Sequence, residues 1–345
     1  MKEMERRKQR WIELMDLNSS VNRILLISHK EHKAMERPPL WWEYAAQREE
    51  WAYQVYMEKM EDMEAIPDDS LPYLPMHTGT EIFAEAFGCR VHRPDDNNPF
   101  ALPLIHSAEE FYKIKKPRLE DTRLVILFDM ADHLLARAGK DALMCLPDIQ
   151  TPVDIAALIW EKSDFYAAMI ETPELVKELA SMVKELLFEF CDEWFRRYGK
   201  EFISHFPDYY MPYGITMSED EVGAVSSGMY QEFFQQELVE FSARYGAIGI
   251  HCCADSLHQW ENFKKIPNLK MLNLVRNYEQ TLQSLDYFRH VCAQHPSLSI
   301  NQVDTLPHPE EIHMVQTMSL PTREEAKRIA QYFAEHNTLP EFSRL

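Results

Sequence analysis

The chain has 345 residues, 46% of them hydrophobic, and a formal net charge of −20 from 36 basic and 56 acidic side chains. That length supports one large domain or two ordinary ones, with a sizeable core and no long disordered tract. The charge balance excludes the basic face of a nucleic-acid binder, no apolar run approaches the roughly 20 residues that span a bilayer, and the six cysteines lack the spacing of a disulfide framework.

Residues 1–35 read as a helical N-terminal extension in which Arg6, Arg7, Lys8 and Arg10 make a solvated basic start. It lacks the apolar stretch of a signal peptide, so the expectation is a reduced, cytoplasmic protein without a membrane partner. At ERPPLWWEYAA (36–46) two prolines stop any helix. LWWEY then reads as a short buried strand that opens one domain over 36–345. A helix over 45–63, a Pro-rich loop within 64–82, the helix EIFAEAFG, the surface turn RPDDNNP and a Ser-capped start at SAEEFYKI follow.

From about 120 the elements alternate. Helix 120–138 leads to strand 141–146, then helices 153–160 and 173–198. Strand FISHF (202–206) leads through an irregular loop (207–226) to helix 227–245 and strand AIGIHCC (247–253). Helix 255–265, strand 269–275, helix 279–294, strand 298–304, strand 313–319 and helix 321–336 complete the chain. This rhythm marks parallel β/α units. Counting LWWEY and one strand within 80–105, eight strands predict an α/β fold: a (β/α)8 TIM barrel with an N-terminal helical extension. A doubly wound open sheet is the alternative.

A barrel of this kind carries its site at the carboxyl ends of the strands. The polar residues there are the candidates: Glu43, Asp148, Gln150, His205, Tyr210, Glu219, Asp220, Glu221, His251, Cys252, Cys253, Asn273, Gln302, Asp304, Gln316 and Thr317, with Trp42 from the aromatic run Trp41–Trp42 able to line a pocket. In GIHCCADSLHQW (249–260), strand geometry points His251 and Cys253 the same way and Cys252 the other. Imidazole and thiolate suit zinc. A packed histidine beside two buried cysteines is the plain alternative. In Glu219–Asp220–Glu221 one carboxylate facing the mouth would serve as ligand, general base or clamp, so Glu221, Asp220 and Asp148 are the catalytic candidates. Glu43, Trp42, Gln150, Tyr210, Asn273 and Gln302 are candidates to shape a substrate pocket.

Several segments together resemble a known family. RPPLWWEYA resembles the opening R-x-P-hydrophobic strand of the uroporphyrinogen decarboxylase superfamily. LPDIQTPVDIAALIW resembles its D-x-Q-G-P segment, with Thr151 where glycine is usual, and PELVKEL resembles the helix that follows. SEDEVGAVSSGMYQEFF resembles its acidic loop and S-P-x-x-Y/F-x-E-F helix, and GIHCCAD the H-x-C-G zinc segment of its methyltransferase branch. These blocks run in order from about 36 to 335.

The resemblance implies a (β/α)8 barrel and two chemistries. The decarboxylase branch relies on an early R-Q-A-G-R-Y segment. Here WEYAAQREEW leaves only Arg48 nearby, so the bidentate clamp on tetrapyrrole carboxylates is missing. The methyltransferase branch implies zinc on His251 and Cys253, activating an acceptor thiol. Its later cysteine is replaced within HMVQTMS (313–319), so Glu221, Asp220, Glu43 or Cys252 would supply the third ligand. Cobalamin would arrive on a partner corrinoid protein, because the chain has no D-x-H-x-x-G segment. The expectation is a zinc-dependent methyltransferase acting on a small-molecule methyl donor or acceptor, its barrel surfaces pairing as a homodimer. One alternative is a metal-free decarboxylase-like carboxy-lyase that holds its substrate with Arg37, Arg48 or His77. The other is a non-catalytic barrel that binds a corrinoid or tetrapyrrole.

Overall fold

The computed structural model describes residues 2–31, 35–94, 97–299 and 305–340. Eight short parallel strands form the barrel: β1 (Arg23–His29), β2 (Tyr73–Leu74), β3 (Leu143–Met144), β4 (Ile215–Ser218), β5 (Ile248–Cys252), β6 (Leu269–Leu274), β7 (Ala293–Gln294) and β8 (Met314–Leu320). Six of them hydrogen-bond in the order β1-β8-β7-β6-β5-β4. β2 pairs with β3, and Gln150 beyond β3 bridges Ser218 of β4. Helices cover the outside. The longest, Pro173–Tyr198, starts on proline, stops at Gly199 (φ 85°), and buries a stripe from Leu175 to Trp194. Among the described residues, no helix is long and apolar enough to cross a membrane.

The seam between β1 and β2 is closed by side chains. The Asp69 N–H donates to Leu25 O at 2.9 Å. In return the Asp69 and Asp68 carboxylates accept the N–H groups of Leu25 and Ile27, each at 2.9 Å. Behind them Arg7 is 1% exposed and donates to Asp68 at 2.8 Å, and to the carbonyls of Met63, Ile66 and Ser70 at 2.9, 2.7 and 2.7 Å. Arg7 is therefore not part of a solvated basic start. It ties the helix Lys2–Leu14 to the barrel wall.

Four other expectations shift. The N-terminal 35 residues are not all extension, because β1 lies within them and pairs with β8. LWWEY is no strand: Trp42–Tyr44 form one 3-10 turn leading into the helix Ala45–Ala65. FISHF forms a two-residue strand, Phe202–Ile203, that meets the end of β3 through a parallel bridge to Cys145 but mainly pairs antiparallel with Tyr210–Met211. The fourth barrel strand is instead Ile215–Ser218, within the segment expected to be irregular. The strand expected over 298–304 lies largely outside the described residues, and β7 comes earlier, at Ala293–Gln294.

Candidate metal centre at the carboxyl ends of the strands

β4 and β5 run side by side in register, with Ser218 opposite His251, so the acidic loop after β4 meets the end of β5. One donor atom each from Asp220, His251 and Cys253 lies within 4.8 Å of the others. The loop is pinned from two sides. The Asp154 carboxylate accepts the N–H groups of Asp220 at 2.6 Å and Glu221 at 3.2 Å. Asp220 in turn accepts the Cys253 N–H at 2.6 Å. Gly223 lets the loop lie flat, since a Cβ there would come within 2.7 Å of Ala254. Cys252 points the other way and is buried, as the strand alternation requires.

Asn273 on β6 fixes the histidine. Its amide nitrogen donates to His295 O and, at 3.0 Å, to Ser297 Oγ, so its oxygen accepts from His251 Nδ1 at 2.5 Å. The Nδ1–H tautomer leaves Nε2 with a free lone pair, the arrangement a ligand histidine needs. Burial, with Asp220 adding to it, pushes the Cys253 thiol up to about 12. A carboxylate, an imidazole and a thiol are donor types that zinc takes, so these residues could hold it. Asn273→Ala should lower zinc affinity about 10–100-fold without removing a ligand, as competition with a chelating dye would measure. Unchanged affinity would mean the amide does not orient His251.

Asp148 also belongs at this mouth. It lies 3.7 Å from His205 Nε2 and accepts from Ser218 Oγ at 3.4 Å. Burial raises its carboxyl to about 6, with His251 opposing the rise. Gln150 is buried beside it, and its Oε1 has no hydrogen-bond partner among the described residues. Burial lowers His77 to about 3 and His205 to about 4.

Four candidates stand elsewhere. The Glu221 carboxylate is held by Lys162 and the Tyr166 hydroxyl, outside the cluster. Glu43 forms an exposed pair with Arg93 at 3.0 Å, and Trp42 Nε1 donates to Glu85 at 2.5 Å. Tyr210 packs under Lys8 at 6.0 Å, in the hairpin against the N-terminal helix. The next residues of that hairpin, Met211 and Tyr213, line a hollow with Ala247 and Lys270, at the amino ends of β5 and β6. Tyr209, not Tyr210, reaches the barrel interior, its hydroxyl against Gly249 of β5. Gln302 and Asp304 lie outside the described residues.

Sequence reasoning missed Asp154. It stands three residues after Thr151, which caps the helix Pro152–Ile159, and so reads as a first-turn helix acid. Beneath the loop, Asp154 neighbours two more buried acids, Glu219 and Glu237. Burial raises Glu237 from 4.5 to about 8, so the fold holds it as the neutral acid. Its contribution to stability is complete below the ordinary carboxylate pKa and is lost as pH rises through 8. Glu237→Gln should therefore raise the melting temperature above pH 8 and change it little at pH 5, a gain on the order of a few kcal/mol. Equal shifts at both pH values would contradict this.

The fold defines a class: a (β/α)8 barrel that gathers carboxylate, imidazole and thiol side chains at the carboxyl ends of its strands. The uroporphyrinogen decarboxylase (URO-D) family model matches residues 25–279. The chain belongs to that family. In three dimensions it resembles a methyltransferase from Methanosarcina mazei, with a TM-score of 0.65 and 12% identity over 96% of this chain and 99% of that one. At that identity the likeness establishes the shared fold. No curated protein matches the sequence.

Proposed function

We propose that this URO-D family member is a methyltransferase that exchanges a methyl group between a corrinoid carried by a partner protein and a zinc-activated thiol acceptor. The observation that carries this reading is the Asp220–His251–Cys253 cluster with Asn273 orienting its histidine. Zinc bound there would supply Lewis acidity that holds an acceptor thiol as thiolate at neutral pH. The chain's own residues do the rest. Asp154 and the Cys253 N–H hold the Asp220 loop in place. Asp148, raised to about 6, sits where it can give or take a proton at the mouth. A half-open cavity of about 600 Å³ beside β1, β2 and β8, lined in part by Lys59, Tyr73, Asp208 and Thr317 but by none of the cluster residues, offers room for a small substrate.

The metal-free lyase reading needs a cation free to hold a substrate carboxylate. Arg48 is 4% exposed and its guanidinium is occupied by the carbonyls of Leu40 at 3.4 Å and His77 at 2.6 Å. Arg37 is exposed and its charge reaches His77 and His205, so the preference for methyl transfer rests on the Asp220–His251–Cys253 cluster and not on a lack of cations. The test is thiol-dependent demethylation of methylcobalamin, followed by its visible spectrum. Activity should vanish on chelation and return with zinc alone. Activity untouched by chelation would overturn the reading.

A further inference from the structure

We propose that His77, Cys145 and His205 form a second cation site, separate from the Asp220–His251–Cys253 cluster, and that it takes a borderline-soft divalent ion of the zinc or cobalt(II) class. One donor atom from each of the three lies within 4.8 Å of the others. They come from three segments: His77 follows β2, Cys145 directly follows β3, and His205 sits in the hairpin after the helix Pro173–Tyr198.

The immediate surroundings are those of ligands. Cys145 is 0% exposed, and its thiol donates to the backbone carbonyls of Leu146 at 3.3 Å and Ser204 at 3.5 Å and meets the backbone of Met76, with no side-chain hydrogen-bond partner among the described residues outside the cluster. His205 Nδ1 is buried without a hydrogen-bond partner, while its Nε2 lies 3.7 Å from the Asp148 carboxylate. A buried imidazole nitrogen with no partner is costly. Metal-binding histidines show this same division, one nitrogen toward a carboxylate and the other toward the ion. The rings of His77 and His205 pack in a T-shape with centroids 5.4 Å apart, and one nitrogen of each lies within 4.8 Å of the other and of the Cys145 sulfur.

The two clusters share no residue. Asp148 lies between them, 3.7 Å from His205 and within the electrostatic reach of His251 and Asp220. Two imidazoles and one thiolate favour zinc or cobalt(II) over the hard ions calcium and magnesium. On binding, the Cys145 S–H bond breaks, the sulfur–metal bond forms, and the proton leaves to solvent. Nothing is oxidised or reduced.

The test uses the full chain carrying His251→Ala and Cys253→Ser, so that the cluster at the mouth is absent throughout. The protein is stripped with a chelator and titrated with cobalt(II) chloride alone. One cobalt per chain is expected, with a thiolate-to-cobalt charge-transfer band that disappears when Cys145→Ser is added. Because Cys145 is buried, His77→Gln is the second variant. It should weaken cobalt binding about tenfold or more while leaving the metal-free melting temperature unchanged. No cobalt band in the starting variant, a band that survives Cys145→Ser, or full affinity in His77→Gln would each overturn the proposal. None of these results bears on the cluster at the mouth.

Discussion

Replacing Cys253 by serine is expected to lower thiol-dependent demethylation of methylcobalamin about a hundredfold or more, with the fold intact. Loss of a residue that merely orients a ligand costs 10–100-fold, and Cys253 is itself a donor in the cluster. The residue is exposed just past the end of β5, and both its thiol and its backbone N–H reach Asp220; serine keeps the N–H and offers a hydroxyl in place of the thiol. Stability should therefore change by no more than about 0.5 kcal/mol. The rate and the melting temperature together separate the outcomes. A large rate loss at constant stability supports the metal centre. An unchanged rate removes Cys253 from the chemistry.

The second large effect is structural. Arg7→Ala should destabilise the chain by about 3–5 kcal/mol, measured by urea unfolding. The side chain buries a guanidinium against Asp68, three carbonyls and Glu3. Removing it strands a buried carboxylate that also receives the Ile27 N–H of β1. The seam between β1 and β2 would lose its backing. Arg7→Lys should recover only part of the loss, because an ammonium cannot reach carbonyls on both sides as the planar fork does. Arg6→Ala, in an exposed pair with Glu3, should cost within about 0.5 kcal/mol. Equal effects at the two positions would contradict the buried role of Arg7.

The neighbouring arginines show where sequence reading stops. Arg6 and Arg7 look alike on paper. Only the fold brings Pro67–Ser70 against one of them, so burial was invisible in the local pattern. β5, β6 and β8 were legible because those strands are apolar and bounded by turns, whereas β7, only Ala293–Gln294, reads as the end of a helix. β1 was not, since RILLISH ends in polar residues and follows a charged helix. β4 has four residues, too few for its pattern to stand out inside a loop.

The site was legible in the same uneven way. The two-residue period of a strand paired His251 with Cys253 and set Cys252 aside. It could not choose among Asp220, Glu221, Glu43 and Cys252 for the third donor. That choice is made by Asp154 and the Cys253 N–H, contacts that cross from one β/α unit to the next. Tyr209 and Tyr210 differ by one residue, and that single step sends one into the barrel and the other under the N-terminal helix. The His77–Cys145–His205 cluster joins segments that no spacing rule connects.

The most direct measurement is bound metal per chain by mass spectrometry, on protein purified without a metal-binding tag, for the wild type and Cys253→Ser. The account predicts that the variant holds one zinc fewer than the wild type after both are supplied with zinc and desalted. Equal zinc in the two proteins, or none in either, would contradict a metal centre at Asp220, His251 and Cys253.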